Sequence, residues 1–370
     1  MSGLALDPSE TKNVGQICEL INGRGFKPHE WATDGLPIIR IQNLNGSDEF
    51  NYFSGSFNQK IQIETGDLLF AWSGSRGTSF GPHIWRGSTA VLNYHTWKVR
   101  PRSSIDPAYL FHALKGITKK IEDEAHGASA LVHTQKREMV HYEVWVPDAD
   151  QQKAIAKALS DIDDLIAALD TLIAKKRDIK QGAIQQLLSG KGRLPGFSGK
   201  WSIVPFRQTL RVRHGKSQKQ VEVESGIYPI LATGGEIGRS NTPLYDKPSV
   251  LIGRKGTIDR PQYIDTPFWS VDTLFYTEIV RGYNPKYIYY AFRRIDWRSY
   301  NEASGVPSLS AKTIEDIEVE LPDEPEQVAI VTVLDMMEGE IAAAEAQRGK
   351  LTMLRQGMMQ QLLTGRIRLI

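Results

Sequence analysis

The sequence predicts an α+β chain of two mixed domains, each followed by one long helix. The two helices are expected to form an antiparallel coiled coil in a pseudo-two-fold molecule. Three observations predict this. First, one segment occurs twice without a gap: Pro147 to Leu194 matches Pro322 to Leu369 at a constant offset of 175 residues. The match runs through Gln152/Gln327, Ile155/Ile330, Leu159/Leu334, Ile166/Ile341 and Gly182/Gly357 to the endings QQLLSG and QQLLTG. Second, apolar residues inside each copy step alternately by four and three. Third, the segments ahead of each copy carry short β-branched and aromatic runs between glycines.

The elements follow in order. In residues 1–146 the runs LPIIRIQNL (36–44), DLLFAW (67–72) and HTWKVRP (95–101) read as strands. Asp106-Pro107 then opens a helix, with Asp as cap and Pro in the first turn. Residues 147–197 form the first helical segment. Pro147 stands before the helix and Gly190 after it, and Ile155, Leu159, Ile162, Ile166 and Leu169 fall on coiled-coil spacing. About 40 residues of helix extend roughly 60 Å. In residues 198–321 the strands recur as IYPIL (227–231), SVLIG (249–253) and DTLFYTE (272–278), and Asn284-Pro285 repeats the helix opening. Residues 322–370 form the second helical segment, with Ile330, Leu334, Met337, Ile341 and Ala344, then Leu351, Leu354, Met358 and Leu362, on its stripe. The expected pairing sets Ile155, Leu159, Ile162 and Ile166 against the far end of that second stripe. The alternative is that each helix packs on its own domain.

Composition narrows the class. A single cysteine, Cys18, leaves no disulfide framework and no cysteine-based zinc cluster. The opening MSGLALDPSETKN is too polar for a signal-peptide core, and no run approaches a membrane span, so a reducing cytoplasmic setting is the expectation. Lys and Arg number 45 against 43 Asp and Glu, too even a balance to announce nucleic acid by charge, so a DNA-binding face would have to be a local patch.

The ordered set of motifs resembles the specificity subunit of Type I restriction-modification systems. Its carriers are VGQICELINGRG (14–25), GLPIIRIQNLNG (35–46) and GDLLFAWSGSRGT (66–78). The Gly-Ser-Leu elements around Ser129 and Ser308, the two Pro-Asp helix openings, and the endings LLSGKGRL and LLTGRIRL complete it. The second domain departs from the pattern at its start, where WSIVPFRQTLRVRHGKS (201–217) lacks the glycine-rich opening. The resemblance implies two target-recognition domains that each read one half of a split DNA sequence, with the helices setting their separation. It implies double-stranded DNA, two modification (methyltransferase) subunits and restriction (motor-nuclease) subunits as partners. It also implies a chain that binds no cofactor itself, with S-adenosylmethionine, ATP and Mg held by the partners.

Base readout calls for Arg or Lys at guanine and Asn or Gln at adenine, on loops that reach the major groove. In the first domain this selects Arg24 and Lys27 in loop 21–27, then Arg40 and Asn43, and then Ser75, Arg76 and Thr78 in loop 73–79. Trp72 precedes that last loop and offers an apolar face to a base methyl; Ser129 lies in the Gly-Ser-Leu element. In the second domain the matching candidates are Arg213, Lys216, Thr233, Arg239, Arg254, Lys255, Thr257 and Ser308. For any one of these cations the plain alternative is a solvated surface charge.

Catalytic and metal chemistry is missing from the sequence. Gly215-Lys216-Ser217 would end a phosphate loop, but Leu210 stands where its first glycine belongs. Asn284-Pro285-Lys286-Tyr287 lacks the second proline of an amino-methyltransferase motif and matches the helix cap Asp106-Pro107-Ala108-Tyr109. The histidines show neither HExxH nor metal spacing. The competing reading is a non-catalytic coiled-coil scaffold with two protein-binding domains.

Overall fold

The computed structural model describes residues 10–125 and 131–369. Both long helices form, Ala149–Leu187 and Glu324–Leu362. Asp148 caps the first by accepting the Gln151 N–H at 2.9 Å, and Asp323 caps the second by accepting the Glu326 N–H at 3.3 Å. Gly190 (φ +68°) and Gly365 (φ +69°) stop them in the left-handed region that glycine adopts without penalty.

The chain divides into two compact units, and the division cuts through both helices. One unit is Met1–Asp170 with Ala346–Ile370; the other is Thr171–Glu345. In the first, the start of the first long helix packs on the end of the second: Ile155, Ala156 and Leu159 share a buried cluster with Leu362, backed by Met358, Met359 and Leu363. In the second unit Ile184, Leu187 and Leu188 lie with Ile330, Val331 and Leu334. Within each unit the helices therefore run antiparallel, as expected, and each also packs on the domain beside it.

The seam differs from the expected stripe in one respect. Leu354 is 55% exposed. The four-three spacing continues from Ala344 through Arg348, Leu351 and Arg355 to Met358 and Leu362, so a guanidinium takes the place read as leucine. Arg355 pairs with Asp163, which also takes Lys115 at 2.9 Å. The second unit repeats the device at the equivalent positions, with Lys180 and Glu338 at 2.6 Å. Burial works against the charge on Asp163, but Lys115 and Arg355 outweigh it and hold the carboxyl below its ordinary range. Glu338 is held low in the same way, chiefly by Lys180.

Each domain is closed by pairing its first strand with its last. Thr11–Asn13 pairs with Glu143–Trp145, and Ser202–Pro205 pairs with Glu318–Leu321. Each then holds two four-stranded sheets. In the first domain one sheet runs Cys18–Asn22, Thr96–Pro101, Leu68–Ala71, Gly81–Ile84, all antiparallel. Its counterpart runs Leu210–His214, Leu274–Ile279, Ser249–Gly253, Gln262–Ile264. The second sheets share one parallel pair, Leu36–Ile39 with Ala90–Leu92 and Tyr228–Ala232 with Trp269–Ser270.

One buried glutamine ties each domain to its helix. Gln152 (2% exposed) accepts the Asp106 N–H at 2.9 Å and donates to the Pro147 carbonyl at 2.8 Å. Gln327 (0% exposed) does the same for the Asn284 N–H and the Pro322 carbonyl, both at 2.9 Å. Each amide satisfies a backbone donor and a backbone acceptor that would otherwise be buried unpaired. Asp106 and Asn284 in turn cap the helices Pro107–Glu124 and Pro285–Phe292, as the sequence predicts.

Candidate nucleic-acid interface

At one end of each domain several loops converge on a tight backbone crossing. At Gly23 a Cβ would lie 2.0 Å from the Asn93 carbonyl oxygen; at Gly215 it would lie 2.0 Å from that of Val271. Only glycine permits either approach. The next residue then hydrogen-bonds across: the Arg24 N–H to the Leu92 carbonyl at 3.0 Å, the Lys216 N–H to the Ser270 carbonyl at 2.8 Å. Gly215, inside the opening that departs from the glycine-rich pattern, is therefore the counterpart of Gly23. The divergent residues around it hide the equivalence in the sequence.

A second loop joins beside the crossing. Trp72 donates its backbone N–H to the His95 carbonyl at 3.2 Å, and its carbonyl accepts the Thr134 N–H at 2.9 Å. Arg254 makes the same two bonds, to the Thr273 carbonyl at 2.8 Å and from the Leu309 N–H at 3.0 Å. Their side chains match as well: the Trp72 indole N–H reaches the Tyr94 carbonyl at 2.8 Å, and the Arg254 Nε–H reaches the Asp272 carbonyl at 2.9 Å. Arg254 is thus the counterpart of Trp72 rather than of Arg76. Ser73 pairs with His133 as Lys255 pairs with Ser308, which makes His133 the counterpart of Ser308. Gly77-Thr78 begins five residues beyond Trp72 and Gly256-Thr257 two beyond Arg254, so the two Gly-Thr pairs do not hold equivalent places. His133 is a site candidate that sequence matching missed, since it aligned Ser308 with Ser129. Ser129 lies outside the described residues.

Apart from Arg40 and Arg254, the predicted cations fall into two groups. Arg24 pairs with Glu30 and lies over the rings of Phe26 and Phe53, at 4.8 and 4.9 Å. Arg213 pairs with Glu278 at 2.9 Å and Arg239 with Glu236 at 2.8 Å. By contrast Lys27, Arg76, Lys216 and Lys255 are exposed and make no ion pair among the described residues. Arg76 donates to the Ala125 carbonyl at 3.0 Å, and the Gly77 N–H donates to Glu122 at 2.7 Å, so the loop is pinned while the charge stays open. Lys27 and Arg76 in the first domain and Lys216 and Lys255 in the second thus leave their charges open, which phosphate contacts and counterion release require.

The remaining candidates serve the frame. Arg40 lies over the Trp31 ring at 4.5 Å, and its Nε is buried without a protein partner. Asn43 is buried; it accepts the Arg40 N–H and donates to the Ser47 and Glu49 carbonyls, which uses its amide within its own loop. Ser75 and Thr78 bond within the loop 75–79, through the Ser79 hydroxyl and the Ser75 carbonyl. A Cβ at Gly253 would lie 2.1 Å from the Thr257 carbonyl oxygen and 3.2 Å from the Thr233 methyl, so Thr233 and Thr257 come together around this glycine. Among the described residues no three His, Cys, Asp or Glu side chains converge to hold a metal ion, and no helix is long and apolar enough to cross a membrane.

The family model for the Type I restriction modification DNA specificity domain matches residues 7–176 and 200–352. The chain is 23% identical to the Type I restriction enzyme MjaVIII specificity subunit of Methanocaldococcus jannaschii, across 97% of its own length and 93% of the relative's. Its fold resembles the crystal structure of the Type I restriction-modification S subunit from M. genitalium, with TM-score 0.66 and 16% identity over 98% of both chains. It also resembles a chain from a study of complex assembly and conformational transition of the Type I system, with TM-score 0.61 and 15% identity over 98% of this chain and all of that one. With two matched domains, two equivalent loop clusters and two seam-packed helices, this chain belongs to the Type I restriction-modification specificity subunits, which specify DNA sequence and do not catalyse.

Proposed function

We propose that each loop cluster reads one half of a bipartite DNA target and that the two long helices set the spacing of the halves. The observation that carries this is the duplicated crossing. Gly23 and Gly215, and Trp72 and Arg254, recur in one hydrogen-bonded frame, while the side chains on it differ, Arg24 standing where Lys216 does and Ser73 where Lys255 does. A shared frame with different side chains is what two readers of different sequences need. Arg76→Ala tests it. Binding should fall at the first half-site and stay unchanged at the second. A bidentate guanine contact would cost about 1–3 kcal/mol at one base pair, whereas a phosphate contact would lower affinity evenly and reduce the salt slope by about one. Titration of matched and single-mismatch duplexes at several salt concentrations separates these outcomes; unchanged affinity for all of them removes Arg76 from the interface.

The same reading places two modification subunits on the helical segments and leaves S-adenosylmethionine, ATP and Mg to the partner subunits. Its support is a second apolar row on the first long helix. Leu172 and Ile179, both in the second unit, stand seven residues apart and are 42% and 52% exposed. A heptad row facing solvent is a surface for another helix. Leu172→Glu with Ile179→Glu should abolish co-purification of the modification subunit and leave the chain folded. Retention of the partner at wild-type yield would move the docking surface elsewhere.

A further inference from the structure

Between the two loops of each cluster lies a third, which neither the family match nor the sequence reading assigns. It is the connector 93–95 in the first domain and 271–273 in the second. Tyr94 and Asp272 hold equivalent places at its tip, because their carbonyls accept the equivalent Trp72 and Arg254 side chains. Their neighbours are fixed likewise: Asn93 N–H to the Ile39 carbonyl and Val271 N–H to the Leu231 carbonyl, both at 3.1 Å. The tip is therefore held in place in both domains, and in the second it stands beside Lys216 and Lys255, whose backbone N–H groups bond to the Ser270 and Thr273 carbonyls at 2.8 and 3.3 Å. Gly25 approaches the Tyr94 ring, with a Cβ there 3.8 Å from Cδ1.

The tip side chains themselves are free. Tyr94 is 47% exposed and Asp272 is exposed; neither the Tyr94 hydroxyl nor the Asp272 carboxylate bonds to a described residue. Tyr94 ends an aromatic stack rising from the core: its ring meets His95 at 3.8 Å, His95 meets Trp72 at 5.3 Å, and Trp72 stacks on buried Trp97 at 6.3 Å. A rigid ring with a free hydroxyl suits a base face or methyl. An exposed carboxylate beside Lys216 and Lys255 is costly near phosphates, and its useful partner in DNA is an exocyclic amino group.

Resting on the proposed reading of the clusters, we infer that position 94/272 is a base-reading position: Asp272 accepts a hydrogen bond from a base amino group in the second half-site, and Tyr94 packs on a base in the first.

The test uses the full chain in complex with its modification subunit, with methylome sequencing and titration of duplexes carrying the motif that the wild-type complex methylates. Asp272→Asn preserves shape and removes the charge. It should weaken binding to the wild-type motif about 10- to 100-fold and relax or change one base pair of the second half-site, leaving the first intact. Tyr94→Ala should do the converse, with Tyr94→Phe retaining most binding. Identical motifs and affinities in a complex that still assembles would overturn the assignment. So would a uniform change across all duplexes, which would mark a backbone or repulsive role. If the wild-type complex itself selects no split motif, the broader reading fails instead, which distinguishes the two.

Discussion

Glu326→Ala is expected to destabilise the second unit by about 2 kcal/mol, chiefly the cost of leaving the buried Trp201 indole N–H unsatisfied. Glu326 is 2% exposed and accepts from Arg193 Nε at 2.6 Å and Nη2 at 2.7 Å, and from the Trp201 indole at 3.1 Å. Arg193 also lies 5.6 Å above the Trp201 ring, which packs on Gly190 where the first helix stops. The carboxylate thus holds the arm after the helix onto the start of the second domain. Its removal strands the buried indole N–H and returns the partly exposed Arg193 to solvent. In the first unit the equivalent Gln151 accepts the Leu369 N–H at 3.3 Å, a neutral bond, and Gln151→Ala should cost about 1 kcal/mol. Urea unfolding followed by tryptophan fluorescence measures both; a Glu326→Ala midpoint indistinguishable from wild type would show that the arm contributes nothing.

A second large effect is expected from lengthening both helices. Four residues inserted after Ala168 and four after Ala343 add about 6 Å to each, on the order of two base-pair steps. Both ends of the seam keep their partners, Arg355 with Asp163 in one unit and Lys180 with Glu338 in the other. The recognised half-sites should stay unchanged while the spacer between them grows. A changed half-site, or an unchanged spacer, would separate the helices from the setting of the gap.

The helices were legible because their residues repeat at a fixed offset and their period is an intrinsic property of the backbone. The misreading of Leu354 shows the limit. An apolar letter outranks a charged one in any stripe, yet Arg355 fits the seam because Asp163 faces it. In the domains, helix caps such as Asp106 and Asn284 could be matched, since capping chemistry admits few residues. The loops could not. Trp72 and Arg254 share a frame made of backbone bonds, and a long N–H donor is all that frame asks of either side chain. Gly23 and Gly215 do the same work among unrelated neighbours. Loops of unequal length then hide the frame, since Arg76 lies four residues past Trp72 while Arg254 holds the place of Trp72 itself.

The most direct test is methylome sequencing of a host expressing the partner subunit with either this chain or a hybrid whose residues 198–321 come from a subunit of another specificity. The wild-type chain should produce methylation at one split motif. The hybrid should still assemble, keep the first half and the spacer, and exchange the second half. A folded, assembled hybrid that changes both halves, or neither, would contradict the assignment of one half-site to each domain.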